Sequence, residues 1–224
     1  MHFEQIEWQG IGAWIRYPDG YEEGKRYPVI LTLHGAGGRE LPLENVLNHT
    51  FFEKVNKLSD FPFVSIAPHC NENSWFDMFE RLKQFVLTTL SQPFCDAERF
   101  YLMGASMGGY ATWQLAMSMP ECFAAIVPIC GGGMSWNGAR LANVPVWAFH
   151  GALDTTVHVE ESEWIVARIN KNGGNAKLTV YPENAHDSWS DTFANPEVYA
   201  WMLSHRNQNE KKLIDIYNNV KDYG

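Results

Sequence analysis

Apolar and polar positions follow two different rhythms along the chain. Short apolar runs rich in β-branched residues occur at Gly12 to Tyr17, Pro28 to His34, Phe63 to Ala67, Phe100 to Gly104, Ala125 to Cys130, Val146 to His150 and Lys177 to Tyr181. Between them lie longer stretches with apolar residues at helical spacing: Leu43 to Leu58, Phe79 to Ser91, Met107 to Met119, Glu160 to Asn172, and a last one running from Pro196 into the C-terminus. The first rhythm predicts strands and the second helices. Their alternation predicts an α/β fold, a doubly wound and mostly parallel sheet with helices on both faces. Val29-Ile30-Leu31-Thr32-Leu33 has almost no polar alternation and reads as a central strand buried on both sides. Pro120 and Gly173-Gly174 close two of the helical stretches.

No repeat, low-complexity tract or composition break marks a linker, so residues 1–206 read as a single domain. Residues 207–224 differ: a polar Asn-Gln-Asn-Glu-Lys-Lys run precedes Leu213, Ile214, Ile216, Tyr217 and Val220 at helical spacing. That tail reads as a docked helix, a partner-binding helix or a frayed end.

Composition narrows the function classes. The chain has 224 residues, is 46% hydrophobic and carries a formal charge of −9, which suits a folded domain with a substantial core. The acidic balance argues against nucleic acid or an anionic membrane as partner. No apolar run approaches the roughly 18 residues of a membrane span. Met1-His2-Phe3-Glu4 shows neither the basic nor the apolar part of a signal peptide. Cys70, Cys95, Cys122 and Cys130 lack CxxC spacing and lie in or beside apolar stretches, so they read as free thiols of a cytoplasmic protein.

Against this background one short motif stands out. Gly104-Ala105-Ser106-Met107-Gly108 fits G-x-S-x-G between a strand-like and a helix-like segment. A serine on so sharp a turn needs small residues two before and two after it, and the turn lifts its hydroxyl to a helix N-terminus. Read blandly, the serine merely caps the helix. His34-Gly35-Ala36-Gly37-Gly38 follows the most buried strand, and its glycines let the backbone turn N–H groups inward. It lacks the Gly-Lys-Ser/Thr of a phosphate loop. The N–H groups of Ala36 and Met107 would form a two-donor oxyanion hole; the alternative is a tight connecting turn.

A serine nucleophile needs an imidazole to take its proton and a carboxylate to orient that imidazole. His186 lies in a polar loop after the strand at Lys177 to Tyr181, and Asp154 lies just beyond the strand ending at His150. Both loops fall at the strand C-termini, where open α/β sheets place their ligands. His34 and His150 read as binding loop backbone, His69 and His158 as loop residues that could line a cleft, and His2, His49 and His205 as solvated. Metal-binding spacings are absent, and no cofactor is expected.

The order Ser106, Asp154, His186 and these motifs resemble the α/β-hydrolase superfamily. Within it the chain is similar to the compact serine esterases related to acetyl-xylan, feruloyl and polyhydroxybutyrate-depolymerase-type enzymes, over about Tyr27 to Leu203. The marks are His34 to Gly38, Asp96-Ala97-Glu98-Arg99, Gly104 to Gly109, His150-Gly151-Ala152-Leu153-Asp154 and His186-Asp187-Ser188-Trp189. The resemblance implies Ser106 as nucleophile, Asp154 as orienting acid, His186 as base and a small-molecule ester as substrate. His158 stands where many relatives carry proline. Ser74-Trp75-Phe76-Asp77 resembles a pocket segment of the carboxylesterase and acyl-protein thioesterase group, or is core packing with Asp77 as a cap. Larger relatives insert a helical lid after the strand ending at Cys130; this chain lacks the length, which implies an open site. His34, Trp75, Phe76, Trp136 and Trp189 are the candidates to line it, with Met134; Trp136 and Met134 alternatively seal the sheet edge. Short-chain or acylated-sugar esters follow as the expected substrates. A dienelactone-type enzyme would carry Cys at the elbow and a haloalkane dehalogenase Asp, and position 106 is Ser. A prolyl-oligopeptidase-type peptidase and a non-hydrolytic binding protein of the same fold are the alternatives.

Overall fold

The structure, a computed structural model, describes residues 2–39 and 41–207. Among these residues, eight strands form one sheet: β1 (His2–Trp8), β2 (Ile11–Tyr17), β3 (Tyr27–Leu33), β4 (Val64–Pro68), β5 (Cys95–Ala105), β6 (Ala125–Ile129), β7 (Val146–Gly151) and β8 (Ala176–Tyr181). Their order is β1-β2-β4-β3-β5-β6-β7-β8. β1 and β2 pair antiparallel with each other and β2 antiparallel with β4, whereas β4, β3, β5, β6, β7 and β8 run parallel.

Among the described residues, six helices cover the sheet: α1 (Thr50–Val55), α2 (Phe79–Leu90), α3 (Met107–Ser118), α4 (Glu160–Lys171), α5 (Trp189–Ala194) and α6 (Pro196–Leu203). β3 is buried on both faces because alternate residues enter two separate cores. Val29, Leu31 and Leu33 pack with Leu82 and Phe85 of α2, Leu115 of α3 and Ile165 of α4. Ile30 points the other way, into a core with Phe51 and Phe52 of α1, Phe193 of α5 and Tyr199 of α6. The doubly wound arrangement expected from the sequence is therefore present.

Three expectations are corrected. The stretch Leu43 to Leu58 is not one helix: a 3-10 segment, Leu43–Asn48, ends at His49, whose extended backbone (φ −65°, ψ 145°) separates it from α1. β1 escapes the apolar pattern because this edge strand buries little: Phe3 packs into one core and Ile6 and Trp8 into the other, on opposite faces, with His2, Glu4, Gln5 and Glu7 exposed between them. α5, too short for helical periodicity to register, follows the His186 loop. The predicted tail helix lies outside the described residues, apart from Asn207, whose N–H donates to the Glu98 carbonyl at 2.8 Å. Among the described residues no helix is long and apolar enough to cross a membrane. All four cysteines are free and buried.

Candidate active site

The C-terminal ends of β3, β5, β7 and β8 deliver four loops to one edge of the sheet, and the candidate chemistry gathers there. β5 ends at Ala105 and α3 begins at Met107, leaving Ser106 alone in the turn with φ 56° and ψ −116°. A side chain rarely adopts that backbone, so the surroundings must enforce it. Gly104 and Gly108 are part of the enforcement. A Cβ on Gly104 would collide with the Gly108 carbonyl, and one on Gly108 with the carbonyl of Leu33 in β3.

Ser106 Oγ donates to His186 Nε2 at 2.8 Å, and His186 Nδ1 donates to Asp154 Oδ2 at 2.7 Å. The imidazole therefore carries its proton on Nδ1 and presents a lone pair to the serine. Asp154 is buried, and its other oxygen accepts the backbone N–H groups of Thr156 and Val157, both at 2.9 Å. Burial alone would raise its pKa, but the hydrogen bonds from His186, Val157 and Thr156 outweigh that and hold the carboxyl below its ordinary value. His150 Nε2 lies 3.3 Å from Asp154 Oδ2, while its hydrogen bonds go to Ser162 Oγ and the Val157 carbonyl. It braces the acid loop, as its place beside Gly151 suggested.

The two expected oxyanion donors flank the serine. Ala36 opens a 3-10 turn and Met107 opens α3, positions whose N–H groups have no acceptor inside their own helix. His34 holds the loop in place: its Nδ1 donates to the Gly35 carbonyl at 2.7 Å and its Nε2 accepts from Cys70 N–H at 3.0 Å. Burial pushes its pKa down to about 4, so the ring is neutral.

Ser106 opens onto a cavity of about 510 Å³, lined on one side by His34 to Gly38 and on the other by His186, Trp189 and Phe193, with Val46, His49, Phe51 and Phe52 deeper in. Trp189 stands edge-on to His186, ring centres 5.3 Å apart, as a wall residue should. Four of the expected wall residues, Trp75, Phe76, Met134 and Trp136, are elsewhere. Trp75 is fully buried and donates from Nε1 to the His34 carbonyl at 3.0 Å, so it supports the loop from behind. Its neighbour Phe76 is 47% exposed and lines a separate groove with Phe79, Tyr110 and Met134. Trp136, 67% exposed on a 3-10 segment, lines neither space. Each aromatic was placed at the right edge of the sheet, but only packing decides which way a ring faces. His49 is the opposite error. His49 reads as a solvated residue of a helical stretch, yet the helix break at His49 turns its ring toward the cavity.

Among the described residues, one trio of possible metal ligands, on Cys130, Asp154 and His186, falls within 4.8 Å. Asp154 and His186 are committed to each other. Burial pushes the Cys130 thiol up to about 12, far from the thiolate a metal needs.

A parallel sheet whose β5 runs through a glycine-flanked serine turn into α3, with acid and imidazole loops after β7 and β8, defines an α/β-hydrolase. The chain belongs to the dienelactone hydrolase family, whose model matches residues 72–211 and so includes positions 106, 154 and 186. A crystal structure described as a thermostable esterase superimposes with a TM-score of 0.81 at 28% identity, over 91% of this chain and 63% of that one. The probable feruloyl esterase C of Aspergillus niger is 23% identical over 188 residues, 80% of this chain and 68% of its own length. The probable dipeptidyl-peptidase 5 of Aspergillus terreus is 24% identical over 156 residues, 62% of this chain. The match spans only 21% of that relative's length.

Proposed function

We propose that the chain is a serine carboxylesterase acting through an acyl-enzyme. Ser106 attacks the ester carbonyl as His186 takes its proton at Nε2; Asp154 steadies the imidazolium; the Ala36 and Met107 N–H groups receive the oxyanion. His186 then protonates the departing alcohol, and water, deprotonated by the same imidazole, releases the acid and regenerates Ser106. The observation that carries this reading is the pair of hydrogen bonds, 2.8 Å and 2.7 Å, that links hydroxyl, imidazole and buried carboxylate. A cavity of about 510 Å³ beside Ser106 suits the short-chain acyl groups expected from the sequence and leaves room for compact ones larger than acetyl. The net charge of −9 favours neutral esters, acylated sugars included, over polyanions. Four free, buried thiols are consistent with a reducing compartment such as the cytoplasm.

Hydrolysis of a p-nitrophenyl ester series together with fluorophosphonate labelling, both abolished in Ser106→Ala, is the expected result. Undiminished ester hydrolysis by Ser106→Ala overturns it. Similarity to the probable dipeptidyl-peptidase 5 favours peptide amides as a second reading. Faster turnover of aminoacyl-p-nitroanilides than of the matched esters would decide for it.

A further inference from the structure

The reaction just described leaves Thr32, Thr50, Thr156 and His49 of the cavity wall unused, and of these His49 alone offers a ring that can both donate and accept. His49 packs against His34 with ring centres 5.5 Å apart, at the junction of the 3-10 segment and α1. The neighbouring histidines are spent on backbone: His34 on Gly35 and Cys70, His69 Nε2 on the Gly38 carbonyl at 3.1 Å. Neither ring nitrogen of His49 has a hydrogen-bond partner among the described residues, and burial lowers its pKa, leaving a neutral ring with one donor and one acceptor. Around it the cavity presents Val46, Phe51, Phe52 and Phe193. An unpartnered ring nitrogen in a mostly apolar pocket discriminates strongly, because a ligand lacking the matching atom leaves it unpaired.

We propose that His49 is a specificity-determining residue: it hydrogen-bonds an oxygen carried on the acid part of the substrate, away from the scissile carbonyl. The preferred substrates are then hydroxyl- or carbonyl-bearing acyl esters rather than plain alkanoyl or aryl ones. This rests on the esterase reading, since it assumes that the acyl group occupies the cavity beside Ser106.

The test uses p-nitrophenyl esters paired by one hydroxyl: hexanoyl against 6-hydroxyhexanoyl, and phenylacetyl against 4-hydroxyphenylacetyl. Wild type should favour the hydroxylated member of at least one pair in kcat/KM by about tenfold, the worth of one hydrogen bond to an otherwise unpaired group. His49→Phe, which keeps a ring and loses both polar atoms, should bring that ratio to about one, and His49→Gln should keep part of it. Equal rates within both pairs in wild type, or a preference that survives in His49→Phe, overturn the proposal. Calorimetric titration of the corresponding amides into wild type and His49→Phe separates the two readings. If no ester turns over, the esterase reading fails, while an affinity ratio that depends on His49 still supports this site and its absence refutes it.

Discussion

The strain at Ser106 lies in one residue and its function in the atoms around it. A non-glycine residue at φ 56° costs about 1–3 kcal/mol, so the turn exists because Gly104, Gly108 and β3 leave the chain no other course. Ala36 supplies the cleanest test of the oxyanion hole. Gly35 is extended at φ −74° and ψ 178°, the conformation a residue before proline prefers, and Ala36 begins a 3-10 turn, where proline is tolerated. Ala36→Pro therefore removes the N–H with little distortion, and kcat should fall by about 10²–10³ with KM nearly unchanged; a loss confined to KM would place the oxyanion elsewhere. Asp154→Asn keeps the shape but offers His186 Nδ1 an amide in place of a carboxylate, so kcat should fall by about 10⁴ at pH 7. Both tests address residues legible in the sequence, because a serine elbow, an acid loop and a histidine loop each carry local signatures. The facing of Trp75, Phe76 and Trp136 was not legible. Ring direction is fixed by the Trp75–His34 hydrogen bond and by packing, neither of which a linear pattern encodes.

At the scale of elements, periodicity was readable wherever a segment buries a face, and failed where it buries little. Seven of the strands follow apolar runs, but β1, an edge strand with exposed polar residues on both faces, does not. The break at His49 is invisible for a related reason: Leu43 to Leu58 keeps its apolar spacing across a residue whose backbone leaves the helix. That one break turns an imidazole into the cavity, so a small error in an element became the largest error in the site. α6 is a contrasting case in which every local signal agrees. Pro196 occupies its first turn, and the Asn195 side chain accepts from Glu197 N–H at 2.9 Å. Loss of that cap in Asn195→Ala should cost about 1 kcal/mol and lower Tm by about 2–4 °C. Ester turnover at 25 °C should be unaffected, because α6 packs on the sheet face through Val198, Tyr199 and Met202 and contributes nothing to the cavity lining.

In the whole molecule, the site and the stability of the fold meet at His34. Its ring is buried, neutral and wedged between the His34–Gly38 loop and the segment at Cys70, with His49 and His69 among its ring neighbours. In the unfolded chain it binds a proton below its ordinary value of 6.5; in the fold burial holds that off until about 4. Between those values the unfolded state carries the extra proton, so stability rises with pH across the window, is complete above 6.5 and is lost as pH falls toward 4. At pH 5 the deficit from this one residue is about 2 kcal/mol. His49, lowered by burial, adds in the same direction. Asp154 also favours the fold above its ordinary 3.8, so its contribution fades only below that pH and leaves the window to the histidines. Urea unfolding of wild type should therefore show a marked drop in midpoint between pH 7 and pH 5. His34→Gln can still donate to Gly35 and accept from Cys70 but does not titrate, so its midpoint, whatever its value at pH 7, should fall much less over the same interval. An unchanged slope in His34→Gln would show that the proton is taken up elsewhere. A reduced slope would mean that the wedge holding the His34–Gly38 loop is itself the acid-sensitive part of the fold, and that the site weakens in acid together with its support.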